Sequence, residues 1–550
     1  MSGLLPSGHR DSFSRDRLPP RAQWPVLLPP PAGIHYSDRL NASAELVDRH
    51  VREGRGARIA LRGAGLAWSY ADLKDRVDRI VAIIRMRWGL VTGSRILLRG
   101  MNHPLLAACW LAVVKAGCIA VNTMPLLRAR ELAVIARKAC VQAAFVQRDL
   151  LASWHEALHT ITGDAPCLDY DLNGNGSLHN AMAQPGHGCE AADTAQDDVA
   201  LIAFTSGTSG VPKATMHFQR DLLLIADVSA RQLLEPASGD VFIGTPPLAF
   251  TFGLGGLLIF PLRAGATAVL QPSWTPESFL EGIREHQASI CFTAPTFYRR
   301  MAQAARAEQL GSLRACVSSG ETLPADTRAQ WSRASGIDLT ECLGSTEMLH
   351  AFIGCTPAEA RPGATGKVIP GFEACILDAE GRALPPGQAG NLAVRGPTGC
   401  RYLDDPRQTE YVRHGWNLTG DACSMSADGH FRYHSRADDM IIASGYNIAG
   451  PEVEEVLLAH PAVAECGVVG APDPGRGQIV TTFVVLSPDG VTQEPAVLAE
   501  ALKDWVKQRL APYKAPRRIH FVESLPRTEN LKLQRFRLRE WASDHRGFTQ

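Results

Sequence analysis

The sequence has no surplus of either charge: 56 Lys and Arg residues balance 56 Asp and Glu. That balance argues against nucleic acid as the main partner. Its 13 cysteines are scattered, odd in number and without a CxxC pair. Neither a disulfide framework nor a zinc site is expected, and reduced thiols in the cytoplasm are the default. No apolar run is long enough to suggest a membrane span. The longest, Leu105 to Val121, is interrupted by Lys115 and reads as a buried helix. The first twenty residues lack the apolar centre of a secretion signal. Their arginines suggest a transit peptide, but Asp11 and Asp16 count against it. Repeats at solenoid periods and low-complexity tracts are also missing.

What remains is a globular composition, 45% apolar and 20% charged, in 550 residues. That length is too great for one core and implies two to four domains. Apolar strand-like runs alternate with helical patterns, which reads as an α/β fold. "SRILLRG" (94–100) reads as a strand and "PLLAACWLAVVKAG" (104–117) as the helix after it. "LIAFTSG" (201–207) and "RDLLLIADVSARQLL" (220–234) repeat that order. The stretch 163–198, rich in Gly, Asp, Asn and Pro, reads as an exposed connection. Beyond residue 365 short strand runs between glycine turns suggest an antiparallel β portion. A compact α+β segment follows, with helices at 451–460 and 495–510 and strands near 466–470 and 479–486. The expected organisation is a large N-terminal domain (1–435) of two α/β subdomains plus a β portion. A hinge at 436–438 then leads to a small mobile α+β domain (439–550).

"FTSGTSGVPKAT" (204–215) concentrates hydroxyls, glycines and one lysine at the end of an apolar strand. Glycines let backbone N–H groups approach an anion, hydroxyls add donors, and Lys213 adds a point charge for terminal phosphates. The sequence reads as strand, loop, helix, which puts the loop where α/β sheets bind ligands. It is not a Walker A loop, since Pro212 precedes the lysine and Ala214 follows it.

"TSGTSGVPK" resembles the phosphate-loop signature of the adenylate-forming superfamily of acyl- and aryl-CoA synthetases, luciferases and adenylation domains. Five further motifs follow in that family's order: "SSGETLP" (318–324), "CLGSTE" (342–347), "NLTGD" (417–421), "SRADD" (435–439) and "LPRTENLKLQR" (525–535). Within the superfamily, "LGSTEMLH", "PPLAFTFGLGG" (246–256) and "DSFSRDRLPPRAQWP" (11–25) resemble the 2-aminobenzoate–CoA and benzoate–CoA ligases.

The resemblance implies two steps: a carboxylate attacks the α-phosphate of ATP, then the thiol of coenzyme A displaces AMP. It implies Thr205, Ser206, Gly207, Thr208, Ser209, Gly210 and Lys213 around the phosphates, and Ser319, Gly320 and Glu321 near adenine. Gly344, Ser345 and Thr346 would line the nucleotide. Glu347, backed by Thr346, would hold Mg²⁺, a hard cation suited to carboxylate oxygen. Asp421 would take the ribose hydroxyls, with Arg436 beside the ribose or phosphate. Lys532 would stabilise charge building between carboxylate and α-phosphate. Asp438 is the implied hinge, and Gly445 and Tyr446 border the coenzyme A path. Phe250, Phe252, Gly253, His350 and His217 are the candidates for the acyl pocket.

The family places glycine before the catalytic lysine, whereas this chain has Asn530 and Leu531. The expectation is an active enzyme with a slowed first step. The readings left open are an aryl-CoA ligase, an enzyme activating a medium-chain fatty acid or loading a carrier protein, and a catalytically impaired nucleotide-binding relative. ATP, Mg²⁺, coenzyme A and a small carboxylate are the implied ligands. No nucleic-acid or membrane partner is implied, and an oligomer is compatible with all three.

Overall fold

The structure, a computed structural model, describes residues 3–159, 165–184, 189–205, 212–320, 323–361, 363–443, 446–473, 477–491, 494–510, 512–527 and 533–543. Among the described residues the strands form four sheets, of six, nine, five and five strands. The six-stranded sheet runs Cys167–Tyr170, Ala143–Gln147, Arg95–Arg99, Ile119–Thr123, Val199–Thr205, Lys213–Phe218. All its neighbours are parallel except the last pair. Its central strands are buried at every residue, as parallel strands covered on both faces must be.

The nine-stranded sheet carries a parallel centre, including Val241–Gly244, Ile290–Thr293, Ala315–Ser318 and Leu339–Gly344. One continuous core joins the two sheets. It takes Ile96, Phe145 and Leu201 from the first, Phe242, Ile290 and Phe292 from the second, and the apolar helices between. The helix Pro104–Lys115 is buried along its whole length, as a helix apolar on all sides must be. Lys115 at its end is fully buried, 2.6 Å from Asp48 and 2.5 Å from Asp78. Its charge is compensated inside the protein. Among the described residues no helix is long and apolar enough to cross a membrane.

The third sheet is antiparallel and includes Trp416–Met425 and Phe431–Arg436. After the turn Ala437–Asp439 the chain builds a smaller α+β domain. Strands Val463–Asp473 and Gly477–Leu486 and helices Gly450–Leu458 and Pro495–Lys507 close around their own core. These lie within a few residues of the expected spans.

Two expectations need correction. The loop that starts after Thr205 is not followed by a helix. The strand Lys213–Phe218 comes first and returns antiparallel to Val199–Thr205, with Lys213 opposite Thr205. The helix begins only at Gln219. The alternating "KATMHF" run pairs as an edge strand, and that pairing outweighs the helical pattern just downstream. The stretch 163–198 is not merely an exposed connection. Cys167–Tyr170 is the edge strand of the six-stranded sheet, and Leu168, Tyr170 and Leu178 are core residues. Two apolar positions alternating in so short a strand leave little local signal.

Candidate active site

Lys213 opens the returning strand of the hairpin. The free edge of that strand is covered by a distant segment. Met216 N–H donates to the Arg401 carbonyl at 2.8 Å, and Leu403 N–H to the Ala214 carbonyl at 2.8 Å. Thr215 and Tyr402 face each other across this bridge. Arg401 anchors it from below, its guanidinium 3.9 Å from the Phe218 ring centre and ion-paired with buried Asp221. The pairing delivers Tyr402 to the lysine. The ammonium of Lys213 lies 5.4 Å from the Tyr402 ring centre and 5.7 Å from that of Tyr411, within cation–π range. The two rings meet edge-on at 5.7 Å.

Strand Leu339–Gly344 delivers the second motif. A side chain at Gly344 would come 2.6 Å from the His350 carbonyl oxygen, so the tight return requires glycine. Ser345 Oγ accepts the Met348 N–H at 3.2 Å and lies 3.4 Å from the Tyr411 hydroxyl. Leu349 closes the turn at φ +69°, a costly conformation for a leucine, held by complete burial. Glu347 is buried, and the Tyr402 hydroxyl donates to its Oε1 at 2.6 Å. His217, on the returning strand, sets Nε2 2.9 Å from the Thr346 carbonyl. Burial pushes its pKa down to about 4, so the ring is neutral and Nε2 carries the donated proton. It holds the turn that presents Glu347.

Asp421 and Arg436 are cross-strand partners. Arg436 Nη1 donates to Asp421 Oδ1 at 2.9 Å and to the Thr419 carbonyl at 2.7 Å. Gly420, at φ +75°, leaves room for this guanidinium; a Cβ there would lie 2.4 Å from Nη2. Burial, followed by the negative charge of Glu347, raises the Tyr411 phenol well above its ordinary value. Tyr411 borders the Glu347 motif through Ser345. Ser319 Oγ donates to the Cys342 carbonyl at 2.8 Å, joining the third motif to the strand that carries Gly344. Gly320 follows at φ +90°. Asp438 is exposed, 3.8 Å from Arg436 Nε.

Of the acyl candidates, Phe252 meets His350, whereas His217 turns to Thr346. The His350 ring lies 5.7 Å from Phe252 and 4.6 Å from Phe260, while Phe252 lies 5.5 Å from Phe292. Burial, partly offset by the nearby Phe252 backbone, lowers the His350 pKa to about 4, and among the described residues neither ring nitrogen has a well-formed hydrogen bond. Two glycines pack directly against these rings. A Cβ on Gly255 would sit 2.4 Å from His350 Cδ2, and one on Gly256 would sit 2.6 Å from Phe292. Gly253 is wedged under the Pro247 carbonyl, and Phe250 is half-buried beside it.

Ser206, Gly207, Thr208, Ser209, Gly210, Glu321, Gly445 and Lys532 lie outside the described residues. Tyr446 opens the strand Tyr446–Ile448. Tyr402 and Tyr411 escaped the sequence reading, because "CRYLDDPRQTEY" carries no chemical signature. Their importance arises only from strand pairing across 187 positions, between Thr215 and Tyr402.

Two family descriptions match this chain: AMP-binding enzyme over residues 47–401, and AMP-binding enzyme C-terminal domain over residues 452–532. The chain belongs to the AMP-binding enzyme family. This AMP-binding enzyme is 35% identical to a benzoate–CoA ligase of Thauera aromatica, over 92% of its own length and 97% of the relative's. It is 32% identical to a 4-hydroxybenzoate–CoA/benzoate–CoA ligase of Rhodopseudomonas palustris, over 91% and 94%. Among solved structures it resembles an anthranilate CoA ligase in complex with anthranoyl-AMP. The TM-score is 0.87 at 30% identity, covering 92% of this chain and 98% of that one. A benzoate CoA ligase from Burkholderia xenovorans LB400 superposes with TM-score 0.82 at 30% identity, covering 91% and 99%. The AMP-binding enzyme is an acid–thiol ligase of the AMP-forming class, which works with ATP, Mg²⁺ and coenzyme A.

Proposed function

We propose that this enzyme is an aryl-CoA ligase that activates 2-aminobenzoate, benzoate or a close relative to an aryl-adenylate and then transfers it to coenzyme A. The observation that carries the reading is the aromatic cluster of Phe252, Phe260, Phe292 and neutral His350, packed on two glycines and leaving Phe252 only partly buried. The partly exposed face of Phe252 suits an aromatic ring, which stacks on flat side chains. The names of the relatives point to the same substrate class.

In this reading, Lys213 and the hairpin hydroxyls take the phosphates. Glu347 fits a Mg²⁺ ion. One of its oxygens is held by Tyr402, and among the described residues the other has no hydrogen-bond partner. Among the described residues no cluster of three or more His, Cys, Asp or Glu side chains could hold a metal. A single carboxylate sharing the ion with phosphates is the ordinary arrangement for Mg²⁺. When bound, the ion neutralises phosphate charge so that an anionic acid can approach. Asp421, oriented by Arg436, receives the ribose hydroxyls. Lys532 stabilises the first transition state. Rotation about 436–438 then removes it and brings Gly445 and Tyr446 to the thiol path, with 1–435 and 439–550 as the moving bodies. The 13 free cysteines fit a reducing cytoplasm, and the substrate class fits breakdown of aromatic compounds.

The test is pyrophosphate–ATP exchange over a panel of acids. Benzoate and 2-aminobenzoate should drive exchange well above hexanoate or octanoate. Preference for an aliphatic acid would transfer the reading to a medium-chain acyl ligase. Exchange without coenzyme A-dependent AMP release would point to loading of a carrier protein.

A further inference from the structure

We infer that Tyr402 is the positioning residue that keeps Lys213 and Glu347 apart and ready, and so sets the metal dependence of adenylation. The inference rests on the adenylating reading above. Two opposite charges share a largely buried space, Glu347 at 7% exposure and Lys213 partly covered. Left alone they would pair, and a paired lysine and carboxylate are poorly placed to receive a phosphate chain and its cation. Among the described residues they form no ion pair within 4.0 Å. Tyr402 stands between them instead. Its hydroxyl donates to Glu347 Oε1 at 2.6 Å and its ring lies 5.4 Å from the Lys213 ammonium. One neutral side chain, 1% exposed, thus serves both charges.

The chemistry of each contact is specific. A short hydroxyl–carboxylate bond is charge-assisted and stabilises the ionised carboxylate without neutralising it. It occupies one oxygen and leaves the other for a cation. The ring face offers the ammonium an attraction weak enough to be exchanged for a phosphate. Tyr411 extends this floor, at 5.7 Å from the lysine and edge-on to Tyr402, and reaches Ser345 only at 3.4 Å. Tyr402 is held rigidly. Its N–H donates to buried Gln408 Oε1 at 2.8 Å, and Gln408 Nε2 donates to the Gln23 carbonyl at 2.9 Å. The N-terminal segment therefore braces the tyrosine from outside.

The test uses Mn²⁺ as the cation and a non-hydrolysable ATP analogue, with free Mn²⁺ read by electron paramagnetic resonance. Tyr402→Phe keeps the ring and loses the hydroxyl. Bound Mn²⁺ should weaken roughly tenfold, the size expected when one charge-assisted hydrogen bond is lost. In a Glu347→Gln background the same change should have little further effect, because the two residues act as one unit. Tyr411→Phe should shift Mn²⁺ binding far less. Tyr402→Leu, which loses ring and hydroxyl, should in addition weaken metal-free analogue binding through Lys213. Kinetically, the Tyr402→Phe loss should fall on pyrophosphate release and not on thioester formation from supplied aryl-adenylate. Unchanged Mn²⁺ affinity, or an equal loss in the Glu347→Gln background, would overturn the inference. Absence of acid-dependent exchange in the unmutated enzyme would instead count against the functional reading on which it rests.

Discussion

At the scale of the residue, buried histidines carry the clearest prediction. His350 has an ordinary pKa near 6.5 and a folded value near 4, because burial disfavours the imidazolium. A base with a depressed folded pKa leaves the unfolded chain binding more protons between those values. Its contribution is complete above the ordinary pKa and is lost as pH falls from there toward 4. Replacing His350 with Phe, which preserves an aromatic wall, should therefore flatten acid destabilisation. Between about pH 7.5 and about pH 5 the difference should reach about 2 kcal/mol in denaturant unfolding. Equal acid slopes for both proteins would refute the assignment of a neutral, trapped ring. A second residue-scale prediction concerns Leu531, where the family has glycine. If the lysine loop needs the positive φ that glycine takes freely, Leu531→Gly should speed pyrophosphate release, since a leucine in that region costs about 1–2 kcal/mol. No gain would mean that the lysine loop already works with leucine.

At the scale of the element, the acyl wall depends on a helix whose glycines face rings. Gly255→Ala would place a methyl carbon 2.4 Å from His350 Cδ2. Neither the backbone nor the packed ring can yield cheaply, so a stability loss of about 1–3 kcal/mol is expected, as for other overpacked cores. The KM for the aromatic acid should rise more than the KM for ATP; equal changes would place this wall outside the acyl pocket. The elements also show what local sequence reveals. The apolar centre of Arg95–Arg99 was legible as a strand, because a parallel strand is covered on both faces; Ile119–Thr123 was not, since its apolar start merged with the run Leu105–Val121 that reads as a helix. The strand Lys213–Phe218 was not, since edge pairing is a property of two segments and not of one. The family motifs were legible as strings, and the family they point to is the one that matches. Tyr402 and Tyr411 were invisible, because their chemistry depends on what the fold brings to them.

At the scale of the whole molecule, the two domains have separate cores and meet around an exposed turn. Arg299 Nη2 donates to the Leu458 carbonyl at 3.2 Å, and Glu455 Oε1 accepts the Ala325 N–H at 3.3 Å. Such single polar contacts suit a surface that forms and releases. Asp438 is exposed in the turn Ala437–Asp439, as the proposed hinge requires. Asp438→Pro should leave pyrophosphate–ATP exchange within about threefold and slow thioester formation by at least about tenfold, since proline fixes φ. Equal losses in both half-reactions would place the hinge elsewhere.

The central claim is that one site joins an aromatic acid first to AMP and then to coenzyme A. Quantifying products by mass spectrometry, with benzoate or 2-aminobenzoate, ATP and Mg²⁺, tests it most directly. The account predicts that aryl-CoA and AMP accumulate in equal amounts, and that without coenzyme A only enzyme-bound aryl-adenylate forms. ADP in place of AMP, or no aryl-adenylate from any aromatic acid, would contradict it.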